Sequence, residues 1–161
     1  MKFYMKKAYV TGATGAIGMA LVAELLQNNI EVTVFLRKDS ERSGRIAESF
    51  GEELKRGNLS VEYVSLEELK HFMENVYTPG QQDSVFYHLG WSGTFGKLRN
   101  DAVLQQKNVE YTLDAVRLAD RLGCTKFIGV GSQAEYGRVS TRLTPRSEEH
   151  TSELQSHVRI S

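Results

Sequence analysis

Residues 7–18 read Lys-Ala-Tyr-Val-Thr-Gly-Ala-Thr-Gly-Ala-Ile-Gly, and this stretch decides the fold. Its first five residues predict a short buried strand over 7–11, and a glycine-rich turn follows. The apolar spacing after the turn predicts a helix over 16–28. The β-branched run over 31–36 predicts a second strand. Strand, helix and strand together have the size of one right-handed βαβ unit of about 30 residues.

The same alternation continues more loosely along the rest of the chain. We predict helices over 40–50, 66–76 and 102–122, and strands over 61–64, 85–89 and 126–130. Strands that alternate with helices indicate an α/β fold with a doubly wound parallel sheet, the Rossmann architecture. The apolar positions that we expect to face inward are Ile17, Leu21 and Leu25 in the first helix and Val109, Leu113, Val116 and Leu122 in the longest one.

The glycine-rich turn, residues 12–18, is termed the phosphate cradle below. Gly12 suits a tight turn, Gly15 lets the backbone approach a pyrophosphate without a Cβ, and Gly18 allows the helix to pack closely on the strand. The helix start, with Thr14, Ala16 and Ile17 around it, offers free N–H groups and the positive end of the helix dipole. We therefore predict that all six of these residues bind a dinucleotide.

The end of the second predicted strand bears on which nicotinamide cofactor is used. An acidic residue there would accept both ribose hydroxyls of NAD. This chain has Leu36 and Arg37 instead, followed by Lys38 and Asp39. Arg37 is suited to grip a 2′-phosphate with two hydrogen bonds. NADP is therefore slightly favoured over NAD, although Asp39 leaves the alternative open.

Four motifs together resemble the extended short-chain dehydrogenases/reductases, which include the NAD-dependent epimerases and dehydratases. The motifs are the Gly-x-x-Gly-x-x-Gly spacing, Leu89-Gly90 after the fourth strand, Asn108-Val-Glu-Tyr-Thr112, and Gly131-Ser132-Gln-Ala-Glu-Tyr136-Gly137. The resemblance implies that Leu89 and Gly90 lie beside the nicotinamide-side ribose and that Asn108 belongs to the cofactor site. It also implies that Ser132 is the catalytic serine, which hydrogen-bonds the reacting substrate oxygen.

For the parent protein, this resemblance implies an NAD(P)-dependent epimerase, dehydratase or reductase that acts on a nucleotide-linked sugar. The family's acid/base pair is Tyr-x-x-x-Lys, with both side chains on one helix face. None of the seven tyrosines has a lysine four residues later, and Tyr136 comes too early to be the family's tyrosine. We therefore expect the chain as given to be inactive. A dinucleotide-binding regulator without catalysis, on the same fold, is the alternative.

The last sixteen residues, 146–161, resemble one translated frame of a widely used DNA-sequencing adapter. We accordingly expect a truncated NAD(P)-binding Rossmann domain over 1–145, the N-terminal part only, followed by a non-native tail over 146–161. A natural polar tail and a physiological half-length product are the other interpretations.

The amino-acid composition excludes several kinds of partner and site. Twenty basic and twenty acidic side chains cancel, which favours neither nucleic acid nor an anionic membrane as partner. No apolar run approaches the roughly 20 residues that span a bilayer. Cys124 is the only cysteine, which excludes an intrachain disulfide or a cysteine-based metal site, and no metal is expected. We expect a cytoplasmic location, and the resemblance suggests a possible homodimer in the parent.

Overall fold

Short runs of apolar and β-branched residues form one five-stranded sheet in the computed structural model, which describes residues 4–77, 82–94 and 96–131. The strands are β1 (Lys7–Thr11), β2 (Glu31–Leu36), β3 (Leu59–Tyr63), β4 (Gln82–His88) and β5 (Cys124–Gly129). All pairings are parallel, and the order across the sheet is β3-β2-β1-β4-β5.

Four α-helices connect these strands. They are α1 (Ala16–Gln27), α2 (Gly44–Arg56), α3 (Leu69–Glu74) and α4 (Ala102–Arg121). Short 3-10 turns, Leu66–Glu68 and Gly96–Asn100, precede α3 and α4. None of the helices in these three described stretches is long and apolar enough to cross a membrane.

The sheet separates two apolar layers because successive side chains of a strand point to opposite faces. One layer packs Ala8 and Val10 of β1 against α1 and α2. The other packs Tyr9 with α3 and α4. Helices therefore cover both faces, and the predicted doubly wound parallel sheet is confirmed.

The strand order also locates the ligand crevice. The chain moves from β1 outward through β2 to β3, then returns to place β4 on the other side of β1. The connections that follow β1 and β4 therefore lead to opposite sides of the sheet, which leaves a crevice at the carboxyl ends of these two strands. Such a crevice is called the topological switch point, and folds of this kind bind their ligands there. Thr11 and His88 are register partners there.

The predicted inward stripes were partly wrong. In α1, Gly18, Val22 and Leu25 are buried, whereas Ile17 is 66% exposed. Leu122, just after α4, is buried as predicted, whereas Val109 and Leu113 are 54% and 47% exposed. The buried residues of the helix are Asn108, Tyr111, Ala115, Leu118 and Ala119. Apolar spacing therefore identified only part of each buried face, because close packing on a sheet also accepts glycine and alanine.

Helix α2 also differs from its prediction. It begins at Gly44 and not near residue 40, because residues 40–43 form a turn in which Ser40 Oγ accepts from Arg42 N–H and Ser43 Oγ donates to Ser40 O. The helix kinks at Phe50, where φ is −131°, and continues through Gly51 to Arg56. It ends at Gly57, whose left-handed backbone is typical of a glycine at a helix end.

Candidate cofactor-binding site

The phosphate cradle lies at the switch point, between the end of β1 and the start of α1. Gly12 has a left-handed backbone with φ of 72°. A Cβ on Gly12 would lie 2.6 Å from the carbonyl carbon of Leu89 and 2.7 Å from Gly90 N. Gly12 is therefore required both by its own turn and by the close approach of the chain that leaves β4.

The other two glycines of the cradle meet different surroundings. A Cβ on Gly18 would collide with the backbone of the turn itself, at 2.7 Å from Ala13 Cα. A Cβ on Gly15 would have only Gly12 O nearby, at 3.5 Å, an ordinary contact. Packing within the protein thus explains Gly12 and Gly18, and it leaves Gly15 unexplained.

Helix α1 begins at the cradle without a protein cap. Its N-cap is Gly15, no side chain caps it within the described residues, and its first turn contains no acidic residue. The first intrahelical bond runs from Met19 N to Gly15 O. The N–H groups of Ala16, Ile17 and Gly18 precede that bond and have no partner within the helix. They form a site suited to an anionic group.

Cationic side chains flank the cradle on the β2 side. Arg37 directly follows Leu36, the last residue of β2, and is exposed. Arg45, in the first turn of α2, donates a hydrogen bond from Nη1 to Thr14 O at 3.2 Å. Sequence reasoning missed Arg45, since no local pattern shows that α2 returns to the cradle 31 residues later.

The buried side chain of His88, at the carboxyl end of β4, lies between Thr11 of β1 and Thr112 of α4. Its Nδ1 lies 2.8 Å from Thr11 Oγ1, and its Nε2 lies 3.3 Å from Thr112 Oγ1. Burial lowers the pKa of His88 to about 4, so the ring is neutral at physiological pH. His88 is a satisfied core histidine, because both ring nitrogens have partners and the residue is 4% exposed.

Asn108 lies behind the chain segment that leaves β4. Its Oδ1 accepts from Ser92 N–H at 2.9 Å, and its Nδ2 donates to Ser92 O at 2.8 Å and to Gln105 Oε1 at 3.2 Å. The residue is 1% exposed. The structure thus places Asn108 where it holds the loop over residues 89–94, termed the β4 loop. Its predicted role in cofactor binding remains a prediction.

Two further contacts fix the β4 loop on α4. Trp91 donates from its indole N–H to Gln105 Oε1 at 2.8 Å, and its side chain is half-exposed. Gly93 has φ of 72°, and a Cβ there would lie 2.6 Å from Leu104 Cδ2. The loop is therefore packed tightly along the amino-terminal half of α4.

Of the remaining predicted site residues, two lie at the switch point and one lies outside the described part of the chain. Leu89 and Gly90 lie at the switch point, against Gly12, with Gly90 N–H donating to Thr11 Oγ1 at 3.3 Å. Ser132, the predicted catalytic serine, lies outside the described residues, which end at Gly131 just after β5.

Comparison with known proteins agrees with this arrangement. The model of the family described as "NAD dependent epimerase/dehydratase family" matches residues 8–158. No curated protein sequence matches the chain.

Several solved structures share the fold. The UDP-Glc/GlcNAc 4-epimerase of Campylobacter jejuni aligns with a TM-score of 0.64 and 19% identity over 84% of this chain and 40% of that one. An epimerase of Methanothermobacter thermautotrophicus aligns at 0.62 and 19% over 99% and 42%. Yeast methylglyoxal/isovaleraldehyde reductase, complexed with NADPH, aligns at 0.59 and 20% over 80% and 38%. The chain thus spans about two fifths of the length of these structures.

Proposed function

This chain belongs to the NAD dependent epimerase/dehydratase family, and from that premise we propose that it is the cofactor-binding part of an enzyme acting on a nucleotide-linked sugar. The reaction class is epimerisation, dehydration or reduction, all of which begin with hydride transfer. Three of the solved structures with this fold are described as 4-epimerases, of UDP-glucuronic acid, UDP-galactose and UDP-Glc/GlcNAc, which supports this substrate class.

The observation that carries the proposal is the open side of Gly15. The fold itself would tolerate a Cβ there, since the nearest protein atom would be 3.5 Å away. That free space lies at the start of α1, where no side chain of the described residues caps the helix and the first backbone N–H groups have no partner within it. A pyrophosphate fits both observations, because it needs donors and a close approach to the backbone.

The residues then have distinct tasks. Residues 12–18 bind the pyrophosphate, and Leu89 and Gly90 form the wall beside the nicotinamide-side ribose. A nicotinamide bound there supplies hydride exchange. Ser132, which follows β5 in the sequence, donates a hydrogen bond to the reacting substrate oxygen. The tyrosine–lysine pair for proton exchange does not occur among the printed residues, so we propose that this chain binds the cofactor without turnover.

We further propose that the cofactor is NADP. Arg37 follows β2 where the adenosine ribose is bound in dinucleotide folds of this type. Arg45 brings a second guanidinium to the edge of the cradle through its bond to Thr14 O. Two cations at this edge favour the extra phosphate of NADP electrostatically.

A homodimer of the parent protein is part of the same proposal, with α4 in the interface. Val109 and Leu113 are about half exposed and lie four residues apart, so they form an apolar stripe on the outer face of the helix. Stripes of this kind are buried when helices of two subunits pack together.

Titration calorimetry of the 161-residue chain with NADP⁺ and NAD⁺ tests the cofactor assignment. We expect both to bind, NADP⁺ more tightly, with one site per chain. Absence of binding for both dinucleotides would refute the proposal.

Sequencing the source gene across codon 145 tests the proposal that the parent protein is an enzyme. A continuing frame with Tyr-x-x-x-Lys supports an enzyme, whereas a natural stop after Ser161 favours a binding protein without catalysis.

A further inference from the structure

We propose that His88 is a positioning residue that fixes the phosphate cradle and the β4 loop relative to each other. The inference rests on the proposed function only in taking the cradle to be the dinucleotide site. It assigns to His88 no contact with substrate or cofactor.

The hydrogen bonds around His88 determine which of its two ring nitrogens carries the proton. Thr112 donates its hydroxyl proton to Asn108 O at 2.9 Å, so towards His88 it can act only as an acceptor. Nε2 of His88 must therefore carry the ring proton and donate it to Thr112 Oγ1. The neutral ring then has an unprotonated Nδ1, which accepts from Thr11 Oγ1. Thr11 Oγ1 in turn accepts from Gly90 N–H.

This polar chain connects four parts of the crevice. It starts at Gly90, where the backbone leaves β4 against Gly12, and it passes through Thr11 at the end of β1. It continues through His88 to Thr112 and ends at the carbonyl of Asn108 on α4. The side chain of Asn108 holds Ser92 by two hydrogen bonds, so the last member of the chain also holds the β4 loop.

Packing and hydrogen bonds hold the imidazole ring of His88 in one orientation. It is 4% exposed and lies against Phe127 with ring centroids 6.0 Å apart and planes at 28°. Both nitrogens are engaged. Because the buried ring stays neutral, the order of donors and acceptors along the chain is fixed. A rotation of the ring would leave the Thr11 hydroxyl and the Nε2–H group of His88 without their acceptors, which is costly in a buried site.

Replacing Thr112 with valine tests the coupling, because valine keeps the shape and removes only the hydroxyl. The control is Thr125→Val in β5, which removes the hydrogen bond of another half-buried threonine, to Ser84 O at 2.9 Å, near the amino ends of the strands and away from the crevice. Thr112→Ser keeps the hydroxyl and should rescue.

Three readouts on the full chain separate positioning from general destabilisation. Nitrogen-15 spectra of labelled histidine should show His88 as the Nε2–H tautomer in the wild type, with His88→Gln assigning the signal. Acrylamide quenching of Trp91, the only tryptophan, should increase in Thr112→Val and not in Thr125→Val or Thr112→Ser. The Kd for NADP⁺ should rise about fivefold in Thr112→Val alone, as expected when one buried bond that orders the site is lost.

The outcomes distinguish this inference from the proposed function. A wild-type Nδ1–H tautomer, or equal changes of Trp91 quenching in Thr112→Val and Thr125→Val, overturns the positioning role. If the wild-type chain binds no dinucleotide, the proposed function fails, while the tautomer and the quenching still decide whether His88 couples the two segments. If Thr112→Val does not fold, the wild-type tautomer and the Thr112→Ser quenching decide it.

Discussion

Gly15 and Gly18 lie three residues apart at the start of one helix, yet a side chain at each would meet different obstacles. We expect Gly15→Val to keep the fold and to weaken dinucleotide binding at least about 100-fold, because two or more charge-assisted bonds of about 1.5–3 kcal/mol each would be lost. Gly18→Ala should instead lower the melting temperature, since its Cβ would lie 2.7 Å from Ala13 Cα.

Calorimetry and thermal denaturation of both variants measure this contrast. Gly51→Ala, where a Cβ would have no atom within 4 Å, is the control: it should leave the affinity unchanged and should not lower the melting temperature, since alanine is tolerated in a helix. Unchanged affinity in Gly15→Val would refute the cradle assignment.

Arg37 is the residue on which the cofactor preference depends. Arg37→Ala should raise the Kd for NADP⁺ about tenfold, because an exposed guanidinium–phosphate pair contributes on the order of one charge-assisted bond. The Kd for NAD⁺ should change little. Arg56→Ala, in the last turn of α2, is the control with the same loss of charge. Equal losses for the two dinucleotides would remove the reason to prefer NADP.

The lowered pKa of His88 makes a prediction about stability and pH. The unfolded chain takes up a proton near pH 6.5, whereas the folded chain resists it until about pH 4. The stabilisation is therefore complete above pH 6.5 and is lost as the pH falls towards 4, by on the order of 3 kcal/mol. The difference in unfolding free energy between wild type and His88→Gln should shrink by about this amount from pH 7 to pH 4.

Urea denaturation at a series of pH values checks this expectation. His71→Gln is the control, because His71 is exposed on α3 and its contact with Glu74 is a surface pair. A pH-independent difference for His88→Gln would mean that the pKa of the ring is the same in the folded and the unfolded chain.

At the scale of elements, α4 depends on its first turn. Asp101 is its N-cap, and the carboxylate accepts from the backbone N–H groups of Val103 and Leu104 at 3.0 and 3.1 Å. Asp101→Ala should therefore lower the free energy of unfolding by about 1 kcal/mol in urea denaturation. Asp101→Asn can still cap and should lose much less. Equal losses in the two variants would assign the effect to charge instead of capping.

The bounds of the strands and helices could be predicted from the sequence better than the faces that they bury. The bounds of β1 and β2 were predicted correctly, since each is a short apolar run between turn residues. The inner face of α4 was predicted only in part, because Ala115 and Ala119 are buried while Leu113 is half exposed, and hydrophobicity alone ranks them the other way. Which face is inside depends on how closely the sheet approaches, and that is a property of the assembled layers.

The candidate site shows the same division. The cradle is contiguous in sequence, so its glycine spacing predicted it. The bonds of His88 join residues 77 and 24 positions apart, and only the pairing of β1 with β4 and the packing of α4 bring those residues together. No local pattern in the sequence contains that information.

At the scale of the whole molecule, the sheet keeps the two apolar layers apart. Leu25 is buried in the α1 layer and Leu118 in the α4 layer. Each leucine-to-alanine change should cost about 2–5 kcal/mol. Because the two sites share no contact partners, the double variant should equal the sum within about 0.5 kcal/mol. A larger deviation in urea denaturation would show that the layers are coupled through the sheet.

The proposed dimer also belongs to this scale. Sedimentation velocity of the full-length parent protein should find a dimer for the wild type and a monomer for Leu113→Glu, since a carboxylate in an apolar interface is costly. Val103→Glu is the control, because Val103 is more exposed than Leu113 and lies on another side of α4. A monomeric wild type would end the dimer proposal without affecting the cofactor site.

The different surroundings of the three cradle glycines have a consequence for how such genes diverge. Codons 12 and 18 are constrained by folding, whereas codon 15 is constrained only by what the protein binds. In a lineage that abandons the dinucleotide but still needs the scaffold, codon 15 is free to drift while its two neighbours stay glycine. A descendant with Gly12, Gly18 and a bulky residue at 15 would thus preserve in its gene the record of a lost ligand.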